Sequence, residues 1–186
     1  MNVLVACEFS GTVRDAFAAR GHNAWSCDIS PSTSRKSDKH FVEDVRKILA
    51  DSSYKWDLLI AHPPCTHLAV SGARWFPHKI EEQADAITFV KELWAAPIVK
   101  KCFENPVSVL STRWKKPTQI IQPYQFGHCE SKRTCLWLDG LPPLTPTKIV
   151  QSMGSLTQML QPGPDRSNDR SVTYYGIAKA MAEQWG

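Results

Sequence analysis

The sequence predicts an α/β layer, a mainly parallel sheet with helices on both faces. Three observations carry that prediction. Short aliphatic and β-branched runs alternate with segments of helical period. One run, Trp56 to Ala61, is unbroken in its apolar character after Asp57, as strands covered on both sides are. The chemistry-bearing residues fall just after the runs, where open α/β sheets bind ligands. At 186 residues and 42% hydrophobic content, the chain fits a single domain over residues 1–186 with one sizeable core.

Val3-Leu4-Val5-Ala6-Cys7 reads as a short strand, and Gly11 opens a helix over Thr12 to Arg20, where Val13, Ala16, Phe17 and Arg20 recur at helical spacing. Gly21 stops that helix because it tolerates left-handed dihedrals, and Asn23 to Asp28 makes a second strand ending in a carboxylate. Pro31 to His40, polar and rich in Ser, Lys and Asp, reads as an exposed loop; Val42 to Leu49 follows as a strand end and short helix. Trp56 to Ala61 runs straight into Pro63-Pro64-Cys65. Ile80 to Trp94, apolar at 84, 87, 90 and 94, is an amphipathic helix that Pro97 helps to end. Ile98 to Phe103 is the next strand, leading into a Glu104-Asn105-Pro106 turn. Gln119 to Gln122 is a short apolar piece and Thr134 to Leu138 another strand. Leu141 to Arg170, rich in Pro, Gly, Ser and Thr, is a loop-rich excursion, and Ser171 to Trp185 closes in an amphipathic helix.

The longest apolar runs fall far short of the roughly 20 residues that cross a bilayer, so no membrane partner is expected. Met1 to Ala6 has no basic segment before its apolar run, and a cytoplasmic location is expected. The six cysteines contain no Cys-x-x-Cys pair and are expected to be reduced thiols. His128, Cys129 and Cys135 lack the paired spacing of a metal site, so no metal is expected. A formal charge of +4 suits a nucleic-acid substrate, as it suits many proteins that bind none.

At the first βα turn, Glu8-Phe9-Ser10-Gly11 offers a glycine that lets the backbone approach a ligand at the start of a helix; a plain tight turn explains it equally well. Asp28 ends a strand where carboxylates commonly bind ribose hydroxyls, or it merely caps a helix, and Asp44 either accepts from an adenine amino group or is a solvated carboxylate. The sharpest feature is Pro63-Pro64-Cys65, in which two prolines hold a cysteine rigidly at a strand end. A thiolate is the attacking species, so the turn has to lower the thiol pKa or supply a base, with His62 and His67 as candidates. Glu104 follows the next strand; if the two strands are neighbours, thiol and carboxyl meet. Such a pair suits addition of a nucleophile to carbon 6 of cytosine while a carboxyl group bonds ring N3.

A Phe-Ser-Gly turn, a Pro-Pro-Cys turn followed by Ser71-Gly72, and a Glu-Asn turn occur in the order seen in DNA cytosine-5 methyltransferases, and the chain resembles that family. The resemblance extends to Glu130-Ser131-Lys132-Arg133-Thr134 before a strand and to Tyr175 through Ala182 in the closing helix. It is that of a small phage- or bacterial-type member without the target recognition domain, the loop-rich 141–170 standing in its place. The resemblance implies a Rossmann-like S-adenosylmethionine-dependent fold and methyl transfer to carbon 5 of cytosine in DNA through a covalent cysteine adduct. It implies that Phe9 and Gly11 line the methionine part of the cofactor, that Asp28 holds its ribose and Asp44 its adenine, and that Ser10, Ile29 and Pro63 complete the cofactor set. Cys65 is then the nucleophile, Glu104 the N3 partner, and Lys132 or Arg133 the contact to the pyrimidine carbonyl or a phosphate. Departures are Thr12-Val13-Arg14 in place of further glycines and Lys132 and Thr134 in place of arginines. A short excursion implies low or partner-supplied sequence selectivity. A free cytosine nucleotide or single strand is the alternative substrate, and a non-catalytic cofactor- or nucleic-acid-binding relative the alternative class. On duplex DNA, the loop Ser71 to Phe76 is the candidate wedge, with Arg113, Lys115 and Lys116 as phosphate contacts.

Overall fold

The computed structural model describes residues 1–35, 37–155 and 170–186. Lys36, in the expected exposed loop, and residues 156–169, most of the expected 141–170 excursion, lie outside the described residues. A seven-stranded sheet organises the described chain in the order β3-β2-β1-β4-β5-β7-β6. Its strands are β1 (Asn2–Ala6), β2 (Asn23–Asp28), β3 (His40–Val42), β4 (Leu58–Ala61), β5 (Lys100–Pro106), β6 (Gln119–Ile121) and β7 (Thr134–Asp139). The first five run parallel, and β7 is antiparallel to both β5 and β6. The helices are α1 (Thr12–Ala18), α2 (Val45–Ala50), α3 (Ile80–Trp94), α4 (Leu110–Arg113) and α5 (Tyr175–Trp185), with a 3-10 segment over Val70–His78.

Because side chains alternate across a strand, each central strand feeds two cores. Val3 and Val5 of β1, Leu58 and Ile60 of β4 and Cys102 of β5 pack with Phe17 of α1 and Ile177, Met181 and Trp185 of α5. Leu4 and Ala6, Leu59 and Ala61, and Phe103 pack on the opposite face with Val45 and Ile48 of α2 and Ile87, Val90 and Leu93 of α3. The unbroken apolar run of β4 therefore has the covering its composition predicts. All four of its residues are buried.

Polar side chains close the helix ends, where the backbone lacks partners of its own. Asp44 caps α2 by accepting the Arg46 N–H at 2.9 Å. Past the end of α3, Lys101 donates to the carbonyls of Trp94 at 2.9 Å and Ala96 at 3.2 Å. No helix among the described residues is long and apolar enough to cross a membrane.

One expectation is corrected here. Glu104-Asn105-Pro106 is strand rather than turn: the three residues pair with Leu136, Cys135 and Thr134 of β7. The partnership with β4 ends earlier, at Ala61 opposite Phe103. An antiparallel neighbour thus carries β5 past the end of β4, so that Glu104 and Asn105 stand beside the segment that leaves β4, residues 62–65.

Candidate active site

Two polar contacts tie that overhang to the Pro-Pro-Cys segment. Asn105, 2% exposed, donates from Nδ2 to the Pro63 carbonyl at 2.8 Å. His62 Nδ1 lies 3.1 Å from Glu104 Oε2, the imidazole N–H donating to the carboxylate, with side chains 8% and 16% exposed. The Cys65 thiol is half-buried and feels the charges of Glu104, Lys132 and Arg170. Burial raises its pKa most and the Glu104 carboxylate raises it further, against smaller lowering contributions from Lys132, its own backbone and Arg170. Of the two expected routes to a thiolate, a lowered pKa or a supplied base, the first is disfavoured in the free protein, where partial desolvation and a neighbouring anion both favour the protonated form.

The expected histidine helpers also change role. His62 serves Glu104. His67 offers its backbone carbonyl to Gln83 Nε2 at 2.9 Å, and its Nδ1 is buried without a hydrogen-bond partner among the described residues. Burial pulls the His62 imidazole downward, but the hydrogen bond and charge of Glu104, with the charge of Glu8, outweigh it and leave its pKa raised.

Lys132 turns away from solvent. Its Nζ donates to the Arg170 carbonyl at 2.7 Å and stands 5.6 Å over the Tyr174 ring, while Tyr174 Oη donates to Glu130 Oε2. Arg133 is exposed. Together with Glu104, Thr134 and Ile177, Lys132 and residues 171–174 line a cleft of about 10 Å³, room for no more than one water. Cys65 is not among its lining residues. Glu130 and Tyr174 join this region across 44 residues of sequence, and no local pattern marks them.

The first βα turn is built by a buried acid. Cys7, with φ 57, takes the left-handed conformation that side chains disfavour, and the chain then reverses so that Glu8 caps α1 from inside. Glu8 Oε1 accepts the Val13 N–H at 2.6 Å and Oε2 the Arg14 N–H at 3.2 Å. Burial raises the Glu8 pKa, against His62 and these N–H groups, which lower it. Gly11 sits at φ 71, where a Cβ would stand 2.4 Å from Arg14 Nη2. The polar loop after β2 crosses this turn: Thr33 N–H donates to the Phe9 carbonyl at 3.0 Å and Ser34 Oγ to Asp15 Oδ2 at 2.8 Å.

Asp28 and Asp44 lie on the same edge of the sheet, for Val42 pairs with Asp28 and the Glu43 N–H donates to the Asp28 carbonyl at 3.0 Å. Asp28 Oδ1 accepts the Ser30 N–H, and Ile29 beside it is 81% exposed. The Asp44 carboxylate is engaged by Arg46 at 2.6 Å. Pro63 is buried, and its carbonyl serves Asn105. In the 3-10 segment Trp75 is 52% exposed with Arg74 over its ring, and Arg113, Lys115 and Lys116 are exposed.

No protein-family model and no curated protein matches this chain. Solved structures do match. One is a proposed DNA modification methyltransferase encoded within an E. coli prophage, at TM-score 0.55 and 12% identity over 81% of this chain and 52% of that one. Another is a methyltransferase of Entamoeba histolytica, at TM-score 0.56 and 14% identity over 88% of this chain and 60% of that one. The chain thus has the α/β Rossmann-like fold of methyltransferases. It spans between half and three fifths of the length of these two structures.

Proposed function

We propose that this chain is an S-adenosylmethionine-dependent methyltransferase that modifies carbon 5 of cytosine in DNA, with Cys65 as nucleophile and Glu104 as the N3 partner. The observation that carries the reading is the joining of the two segments: the Asn105 to Pro63 hydrogen bond holds the Pro-Pro-Cys segment against the strand end that bears Glu104.

The residues at the carboxyl edge fit the cofactor. Asp28 presents a carboxylate for ribose hydroxyls, and exposed Ile29 beside it offers an apolar surface to a purine, while Gly11, whose missing Cβ makes room for Arg14 and Ser34, keeps the turn tight at this edge. Phe9 and Ser10 belong to the same turn. Asp44 meets the adenine amino group only by exchanging its bond to Arg46. Bound S-adenosylmethionine supplies the electrophilic methyl group.

The protein's own residues do the remainder. Glu104 protonates or hydrogen-bonds N3, which draws electrons from carbon 6, and the Cys65 thiolate adds there, leaving carbon 5 electron-rich. A Glu104 that takes up a proton from solvent and keeps it while hydrogen-bonding N3 no longer carries the negative charge that raises the Cys65 pKa, and that form of the complex favours the thiolate. After carbon 5 is methylated, its proton passes to solvent water and the electron pair re-forms the carbon 5–carbon 6 double bond as the Cys65 thiolate leaves, releasing the product. Lys132, once freed from the Arg170 carbonyl, or Arg133 contacts the base carbonyl or a phosphate. Exposed Trp75 with Arg74 supplies a wedge for a flipped base, and Arg113, Lys115 and Lys116 phosphate contacts. Sequence selectivity is low or supplied by a protein partner.

Tritium transfer from labelled cofactor tests the reading, with duplex DNA, single strand and free cytosine nucleotide as parallel substrates. Transfer is expected to DNA and to stop with Cys65→Ala. Transfer that survives this change removes the mechanism, and transfer to the free nucleotide alone replaces the substrate. Calorimetric cofactor binding with no transfer to any pyrimidine identifies a binding module instead.

A further inference from the structure

The imidazole of His62 bonds the candidate acid, and nothing in the proposed reaction uses it. Its side chain is 8% exposed, Nδ1 meets Glu104 Oε2 at 3.1 Å, and Nε2 is buried without a hydrogen-bond partner among the described residues. A residue that only filled this space would be apolar, since a buried polar nitrogen without a partner costs stability and persists where it performs a task. The charged groups facing the ring come from three directions: Glu104 on β5, Glu8 at the end of β1, and Lys132 ahead of β7.

We propose that His62 is the positioning residue of this site: its Nδ1–H holds Oε2 of Glu104, so that Oε1 is left to face the pyrimidine, and while Glu104 is ionised the imidazolium charge offsets the carboxylate beside Cys65, before Glu104 takes up the proton that meets N3. This rests on the reading of Glu104 as the group that meets N3. Both consequences follow from one contact. A carboxylate fixed by one oxygen loses a rotational degree of freedom that the reaction would otherwise have to remove. A carboxylate paired with imidazolium also opposes thiolate formation at Cys65 less than a bare one does. Burial lowers the imidazole pKa, but the hydrogen bond and charge of Glu104 with the charge of Glu8 outweigh it and leave the pKa raised, so the charged form extends toward neutral pH.

Three variants, His62→Ala, His62→Asn and His62→Ala combined with Glu104→Gln, test this in the full chain. The asparagine amide keeps a donor near the position of Nδ1 but does not titrate. Methyl transfer to a cytosine-containing oligonucleotide is followed across mildly acidic to mildly alkaline pH. His62→Ala should lower kcat about 10- to 100-fold with KM changed less than about threefold, the loss of one hydrogen bond to a charged group. His62→Asn should restore most of kcat at neutral pH yet lack the alkaline fall that the wild type shows as its imidazole deprotonates.

A second readout is independent of turnover: iodoacetamide alkylation of Cys65, followed on its own peptide by mass spectrometry. His62→Ala should slow it about 3- to 10-fold at neutral pH through a smaller thiolate fraction, and adding Glu104→Gln should reverse this. Alkylation insensitive to both changes overturns the proposal, as does a pH profile common to wild type and His62→Asn. If wild type methylates no cytosine substrate, the reaction assigned above fails. The alkylation series still decides whether His62 and Glu104 act as a pair.

Discussion

Asn105 offers the sharpest test of the scaffold that brings the two candidate groups together. Replacing it with alanine removes the 2.8 Å bond to the Pro63 carbonyl and leaves that buried acceptor unpaired, which costs about 1–3 kcal/mol. The small void left in a site 2% exposed adds roughly 1 kcal/mol. Against this, Asn105 Oδ1 is itself buried without a partner among the described residues, and deleting it returns about 1 kcal/mol. The net expectation is a loss of about 1–3 kcal/mol, or roughly 2–12 °C in Tm for a chain of this size. Asn105→Asp should be worse, because a carboxylate oxygen then faces the Pro63 carbonyl, acceptor against acceptor, with a charge to bury. Thermal denaturation followed by circular dichroism measures both, and Cys65 alkylation in the folded protein should rise as the Pro-Pro-Cys segment loosens. A Tm for Asn105→Ala within about 1 °C of the parent, or an aspartate variant no less stable than the alanine one, refutes the argument.

Further outcomes follow from the same geometry. Gly176→Ala places a Cβ 1.9 Å from the Phe126 carbonyl oxygen, so it should cost about 3 kcal/mol or more, whereas Gly72→Ala, with open space around it, should stay within about 0.5 kcal/mol in chemical denaturation. Gly11→Ala combines a left-handed φ of 71 with a clash against buried Arg14, for a loss of roughly 2–5 kcal/mol and of calorimetric cofactor binding; full binding would rule out the turn as the cofactor site. The His62 pKa is raised on folding, so its contribution to stability is complete below the ordinary value of 6.5 and is lost as pH rises through the raised value. Tm should therefore fall as pH rises above the ordinary imidazole value of 6.5, and Glu104→Gln should flatten that fall; an equally steep fall in the variant assigns it elsewhere.

Much of the layer architecture was legible because it depends on local pattern. The Ile80 to Trp94 helix and the Asn23 to Asp28 strand appear with the boundaries their periodicity predicts. The apolar run ending at Ala61 is the central strand that two-sided burial requires. Glu104-Asn105-Pro106 was misread as a turn, because proline and asparagine are turn residues locally. Pairing with β7, some 30 positions later in the chain, keeps them extended.

By itself the sequence determined the alternation of strand and helix, the covered central strand, and the order of a rigid cysteine turn and a Glu-Asn segment, since spacing along a chain is enough for each. Tertiary structure alone decided that His62 serves Glu104 rather than Cys65, that Lys132 bonds the Arg170 carbonyl, and that Tyr174 closes on Glu130. The physical reason is that hydrogen-bond partners and desolvation depend on which strand ends become neighbours. Contacts spanning about 40 residues are set by the order of the sheet, which local pattern does not encode.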